Sequence, residues 1–77
     1  MSGHIPILRP REIVRALEKD GWYSHCQKGS HMVMHKTGSR NLIVVPMHDR
    51  DVPLGTLRCI LSDAGLNAED LTALLER

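Results

Sequence analysis

The stretch from residue 22 to residue 46 constrains the fold most, because it contains three short strand candidates separated by two turn signals. The strand candidates are residues 22–27, 30–35 and 40–45. Lys28-Gly29 and the run from Lys36 to Ser39 are typical of tight turns. Strands joined by such short connections lie antiparallel, so a three-stranded antiparallel meander is expected. The alternation of side chains leaves open which face of each strand points to the core.

Helical patterns flank this stretch on both sides. Pro10 suits the first position of a helix, and Asp20-Gly21 marks its end. Pro53 opens a second helix, and Asn67 is a suitable N-cap for a short third one. The predicted fold is therefore α+β in the order α-β-β-β-α, with a short C-terminal helix. We expect the helices to cover one face of the sheet and to leave the other face open.

The length of 77 residues allows one domain and leaves no room for a deep cofactor cleft. Residues 1–8 are expected to form a flexible N-terminal arm, and residues 9–77 a single domain. Cys26 and Cys59 show no CxxC or zinc-ribbon spacing, so both are expected to be reduced. Neither a signal-peptide pattern nor a bilayer-length apolar run is visible, which favours a cytoplasmic protein with no membrane partner.

The charges are distributed unevenly along the chain. Residues 1–40 contain seven Lys/Arg and three Asp/Glu, whereas residues 41–77 contain three Lys/Arg and six Asp/Glu. This asymmetry favours a polyanionic partner on one side, although an ordinary mixed surface is the alternative. Trp22 and Tyr23 are adjacent on one strand and would point to opposite faces, so an aromatic stacking platform is not expected. Recognition of backbone charge and shape fits this composition better.

Histidine is frequent in this chain, and one histidine stands out by its neighbours. The five are His4, His25, His31, His35 and His48. Most are interpreted as ordinary surface residues. His31 differs because it directly follows a tight turn and has Lys28 three residues before it. RNA cleavage by the adjacent 2′-hydroxyl needs a proton-transfer group and a cation near the phosphate, and this pair supplies both.

A metal site is the main alternative chemistry. His31 and His35 could share an ion on a helix, but on a strand they would lie about 13 Å apart. His48, Asp49 and Asp51 form a second candidate cluster, in a loop where carboxylates more often cap a helix or face solvent. We therefore expect no metal and no cofactor.

Several segments together resemble the HicA toxins. They are Asp20-Gly21-Trp22, Lys28-Gly29-Ser30-His31, Ile43-Val44-Val45-Pro46, His48, Pro53-x-Gly55-Thr56-Leu57 and Ile60-Leu61-x-x-Ala64-Gly65-Leu66. They occur in the family's order, and the resemblance extends from about residue 10 to residue 75. It implies a fold similar to the double-stranded-RNA-binding domain. Many relatives carry a second histidine and an aromatic residue where this chain has Met32 and Met34, and Leu71 also stands where an aromatic residue is common.

The resemblance also implies a function. The expected protein is the toxin of a type II toxin–antitoxin system, acting in a stress response as a metal-independent endoribonuclease that cuts mRNA without the ribosome. His31, in the family's Gly-Ser-His motif, is the expected catalytic residue. The residues expected to bind RNA are Lys28, Gly29, Ser30, Arg11, Arg15, Lys36 and Arg40. A HicB-type antitoxin is expected to cover His31. The alternatives are a non-catalytic RNA-binding module with the same fold and a protein whose main role lies in a complex.

Overall fold

The structure, a computed structural model, describes residues 5–48 and 50–77. Its elements in chain order are α1 (Pro10–Lys19), β1 (Trp22–Lys28), β2 (His31–Lys36), β3 (Ile43–Pro46), α2 (Leu54–Ala64) and α3 (Ala68–Glu76). The strands form one antiparallel sheet in the order β1-β2-β3. The predicted α+β class, the α-β-β-β-α order and the additional C-terminal helix are confirmed.

The helix ends follow from local chemistry. α1 starts at Pro10, whose missing N–H would have no partner within the helix, and Glu12 accepts a hydrogen bond of 2.9 Å from the Arg9 backbone N–H. α3 starts with a capping box in which Asn67 and Asp70 accept each other's backbone N–H groups at 2.8 and 3.0 Å. The predicted boundaries at Pro10 and Asn67 therefore agree with the structure.

β3 is shorter than the sequence predicts. Pairing with β2 begins at Ile43, opposite Met34, whereas the predicted strand begins at residue 40. The backbone N–H of Asn41 donates to the Ser39 hydroxyl at 3.2 Å, and the Asn41 amide donates to the Asp63 carbonyl at 3.1 Å. These local and tertiary hydrogen bonds compete with the strand ladder and keep residues 39–42 in a loop.

The core lies between the helices and one face of the sheet. Met34, Ile43 and Val45 are fully buried on this face. The helices contribute Ile13, Ala16, Leu17, Leu57, Ile60, Leu61, Leu71 and Leu74. Met32 packs against this core, so Met32 and Met34, which differ from the family pattern, both contribute to the packing of the core. The parity of β2 places His31, Val33 and His35 on the opposite, open face of the sheet.

The N-terminal boundary of the core lies before residue 9. Leu8, which belongs to the predicted arm, is buried, and its carbonyl accepts a hydrogen bond of 2.8 Å from the Val52 N–H. Ile5 is partly buried against the same core. Residues 1–4 of the predicted arm lie outside the described residues. In the described part of the chain, no helix is both long and apolar enough to cross a membrane, and Cys26 and Cys59 are free thiols.

Candidate functional site

The turn between β1 and β2 places His31 at one end of the sheet. Gly29 and Ser30 are its two central residues, and Gly29 has a φ of +58°. Positive φ at the first central position alone is the requirement of a type II′ hairpin turn, which glycine meets without steric cost. Because the turn has only two residues, Lys28 and His31 are direct cross-strand partners. Such partners share a face and have Cβ atoms about 4.5–5.5 Å apart.

His31 itself is exposed on the open face. It lies between Lys28 on β1 and Pro46 on β3. Within residues 5–48 and 50–77, the His31 imidazole forms no hydrogen bond and no ion pair. The hydrogen-bonding capacity of the two ring nitrogens is therefore unused within the described residues. The predicted placement of His31 after a tight turn beside Lys28 agrees with this geometry.

Two hydrogen bonds hold the turn that carries His31. The Gln27 side-chain amide donates to the Gly29 carbonyl at 3.3 Å. The backbone N–H of Met47 donates to the Ser30 carbonyl, which joins the turn to the residue after β3. The turn is thus held by a side chain of β1 and by the backbone of the residue that follows β3.

The same end of the sheet carries a groove on its helix-covered side. This arginine groove, of about 690 Å³, is lined chiefly by Arg9, Arg11, Arg15, Gln27, Met47 and His48. Arg9 lies 3.8 Å from the Asp51 carboxylate, whereas Arg11 and Arg15 have no ion pair among the described residues. Glu12 also lines the groove, and its carboxylate accepts a hydrogen bond from the Arg9 backbone N–H but remains charged. The three arginines of the lining outnumber this single acid. The groove is therefore suited to an anion such as a phosphate diester.

Two of the predicted RNA-binding residues lie at the opposite end of the hairpin. Lys36 pairs with Trp22. Lys36 lies five residues after His31 on β2, which corresponds to about 16 Å. Its ammonium group lies 3.2 Å from the Asp20 carboxylate. Arg40 is exposed in the loop after β2. The structure thus brings Lys28, Gly29 and Ser30 to His31, places Arg11 and Arg15 at the same end on the other face, and separates Lys36 and Arg40 from both.

The described residues contain no group of three His, Cys, Asp or Glu side chains arranged to hold a metal ion. His31 and His35 both lie on β2, four residues apart, which corresponds to about 13 Å. Asp49, a member of the loop cluster considered with His48 and Asp51, lies outside the described residues.

Sequence reasoning missed Gln27, Met47 and His48 as neighbours of the turn. Gln27 and Met47 each form a hydrogen bond to the turn and line the arginine groove. Met47 and His48 reach this region only because β3 runs alongside β2 and ends there. The position of Pro46, which ends β3 directly before Met47, was the available signal.

The fold and this site define a small α+β domain that presents a histidine and a lysine at the end of an open antiparallel sheet. Residues 10–66 match the family model for the HicA toxin of bacterial toxin–antitoxin systems. Because the match covers more than half of the 77 residues, the chain belongs to the HicA toxin family. It is therefore a toxin of a toxin–antitoxin system, and the family recognised from the motifs is confirmed. No curated protein sequence matches the chain.

Proposed function

We propose that this toxin is a ribosome-independent mRNA endoribonuclease that uses His31 as its general acid/base and requires no metal. The observation that supports this function best is the exposed His31 imidazole directly across the turn from Lys28. An exposed proton-transfer group beside a cation meets the two chemical requirements of phosphodiester cleavage by a neighbouring hydroxyl.

The reaction moves two protons. The ribose 2′-oxygen loses a proton and attacks the adjacent phosphorus, the bond from phosphorus to the 5′-oxygen breaks, and the leaving 5′-oxygen gains a proton. The products are a 2′,3′-cyclic phosphate and a 5′-hydroxyl. The His31 imidazole accepts the proton of the 2′-hydroxyl, and the resulting imidazolium donates a proton to the leaving 5′-oxygen, so the residue ends the reaction in its starting form. This proton transfer contributes about 10²–10⁴ in rate. Lys28 stabilises the negative charge that develops on the phosphoryl oxygens.

The bound RNA follows the distribution of cations around the turn. Gly29 and Ser30 allow close approach of the RNA backbone at the turn, because neither carries a bulky side chain. Arg11 and Arg15 bind phosphates in the arginine groove, next to Gln27. Lys36 and Arg40 contact only RNA that is long enough to extend along the sheet to its far end.

The cognate antitoxin is of the HicB type and silences the toxin by covering His31. The side chain is exposed in the isolated chain, so a partner that covers the turn would block substrate access. Histidine-specific acylation, mapped by mass spectrometry with and without the antitoxin, tests this. We expect protection of His31 in the complex, whereas equal modification in both samples would contradict it.

The test of catalysis combines two variants with purified RNA in the presence of a chelator. His31→Ala should abolish cleavage and growth arrest. The variant should remain folded, with a thermal unfolding curve like that of the wild type, and added imidazole should partly restore its cleavage. Arg58→Ala, a change on the exposed surface of α2, is the matched control and should cleave like the wild type. Binding of RNA without any cleavage by the wild type would favour a non-catalytic RNA-binding module. Cleavage that the chelator removes would show that a metal is required.

A further inference from the structure

The open face of the sheet carries a cluster of three aromatic rings. The rings of His25 and His35 have centroids 4.2 Å apart, and those of Tyr23 and His35 have centroids 6.2 Å apart. The interplanar angles are 39° and 34°, so the rings are tilted against one another. Tyr23 remains 48% exposed and His25 is exposed. The cluster therefore presents aromatic surface to solvent.

A β-bulge creates this cluster. The register of β1 against β2 shifts between Ser24 and Cys26, so that His25 has no partner in the ladder. Tyr23 pairs directly with His35 before the bulge. Bulges re-aim side chains, and here the extra residue lets His25 approach His35 from beside Tyr23. Strict alternation along a regular strand does not reveal this arrangement.

The charge of the sheet suits a polyanion. None of the three strands contains Asp or Glu, although the chain has nine of them. Lys28 and His31 share the open face with the aromatic cluster. His31 and His35 are an even number of residues apart on β2 and so point to the same face, and Lys28 is the cross-strand partner of His31. His35 lies four residues along β2 from His31, or about 13 Å. One continuous face thus joins the candidate catalytic residue to exposed rings.

We propose that Tyr23, His25 and His35 form a stacking site for unpaired nucleobases of single-stranded RNA. Aromatic side chains on a sheet face bind bases by stacking when those bases are not already stacked in a duplex. The site would hold bases beyond the cleaved linkage, and it would select single-stranded over double-stranded substrate. This inference rests on the proposed RNA-cleaving function.

Such a site was not predicted, because Trp22 and Tyr23, the only Trp and Tyr residues, are adjacent on one strand and point to opposite faces. Trp22 is buried in the core, whereas the side chain of Tyr23 is exposed. The histidine rings on β1 and β2 supply the remaining stacking surface. RNA is favoured over a protein partner because this face lacks acids and continues into the Lys28–His31 pair.

The test measures binding of a fluorescent 12-nucleotide single-stranded RNA to the His31→Ala variant, which should bind without cleaving. Adding Tyr23→Ala should weaken binding on the order of 5- to 150-fold, the range for loss of one stacked base. Tyr23→Phe should retain the affinity, because the ring remains. Leu54→Ala, which alters another side chain with 48% exposure but on α2, should have no effect. A blunt duplex of the same sequence should bind equally to all variants.

An RNA of the same length whose bases are replaced by abasic sites provides a second measurement. It should bind the parent protein no more tightly than the normal RNA binds the Tyr23→Ala variant, because the abasic RNA loses every stacked base and the variant loses one ring. The stacking site would be overturned if Tyr23→Ala did not change the affinity of the His31→Ala variant for normal RNA. If the wild-type protein cleaved that RNA, the proposed function would remain intact. Loss of antitoxin binding with unchanged RNA binding would make this face a protein interface and overturn the proposal. Absence of both RNA binding and cleavage in the wild type would overturn the proposed function together with the inference.

Discussion

The ammonium group of Lys36 lies 3.2 Å from the carboxylate of Asp20, and this ion pair spans the end of the β1–β2 hairpin opposite His31. The same Asp20 oxygen accepts a hydrogen bond of 3.3 Å from the indole N–H of Trp22. The Lys36 ammonium also lies 5.9 Å from the centre of the Trp22 ring. Because Asp20 directly follows α1, these contacts attach the end of the helix to the sheet.

Replacing Asp20 with alanine should therefore destabilise the domain. The indole N–H of Trp22, a side chain that is 3% exposed, would lose its partner. We expect a decrease of about 1–2 kcal/mol in the free energy of unfolding. Urea titration followed by the fluorescence of Trp22, the only tryptophan, measures it. Asp63→Ala removes an exposed carboxylate on α2 and should change stability by less than about 0.5 kcal/mol. Equal effects of the two changes would contradict the role of Asp20.

The glycine of the turn should be far less tolerant of alanine than the glycine of α2. Gly29 has a φ of +58°, where a Cβ costs about 1–2 kcal/mol. Gly29→Ala should lower the free energy of unfolding by that amount and reduce toxicity, because the turn sets the position of His31. Gly55 lies in α2 without positive φ, and no atom lies within 4 Å of a Cβ placed there.

Gly55→Ala is thus the matched control for the turn variant. It should raise the free energy of unfolding by about 0.4–1 kcal/mol, since alanine favours the helix and restricts the unfolded chain. Thermal unfolding by circular dichroism distinguishes the two substitutions by the sign of the change in Tm. Destabilisation by both changes, or by neither, would contradict the assigned turn conformation.

The predictability of each feature depended on whether it was encoded locally. Pro10, the Lys28-Gly29 turn and Asn67 act through their own backbone neighbours, so the sequence predicted the elements beside them correctly. The start of β3 was wrong because Asn41 binds Asp63 at the end of α2, a contact that joins residues 22 positions apart. The bulge at His25 and the contact between Met47 and Ser30 also arise from strand pairing. Because the bulge and this contact depend on strand pairing, the sequence did not reveal the aromatic cluster or the arginine groove.

Lys19 should stabilise the C-terminal helix across the domain. Its ammonium group donates to the carbonyls of Leu74 and Arg77 at 3.1 and 2.5 Å. A cation at a helix C-terminus satisfies carbonyls without intrahelical partners and interacts favourably with the helix dipole. Lys19→Met, which keeps the aliphatic stem, should cost about 0.3–1 kcal/mol and speed amide exchange near the end of α3. Hydrogen exchange in the last turn of α3 measures this, with Lys28→Met as the control that should leave it unchanged.

Arg11 and Arg15 should contribute to RNA binding through counterion release rather than through base contacts. Both line the arginine groove, and neither has an ion pair in the described part of the chain. Their joint replacement by alanine in the His31→Ala background should flatten the plot of log K against log salt. For a single strand the slope is about −0.7 per phosphate contact, so the loss of two contacts reduces its magnitude by about 1.4. Arg58→Ala on α2 should leave the slope unchanged, and the stability of the double variant should be close to that of the parent, because both arginines are exposed. An unaltered slope in the double variant would place the RNA backbone elsewhere on the surface.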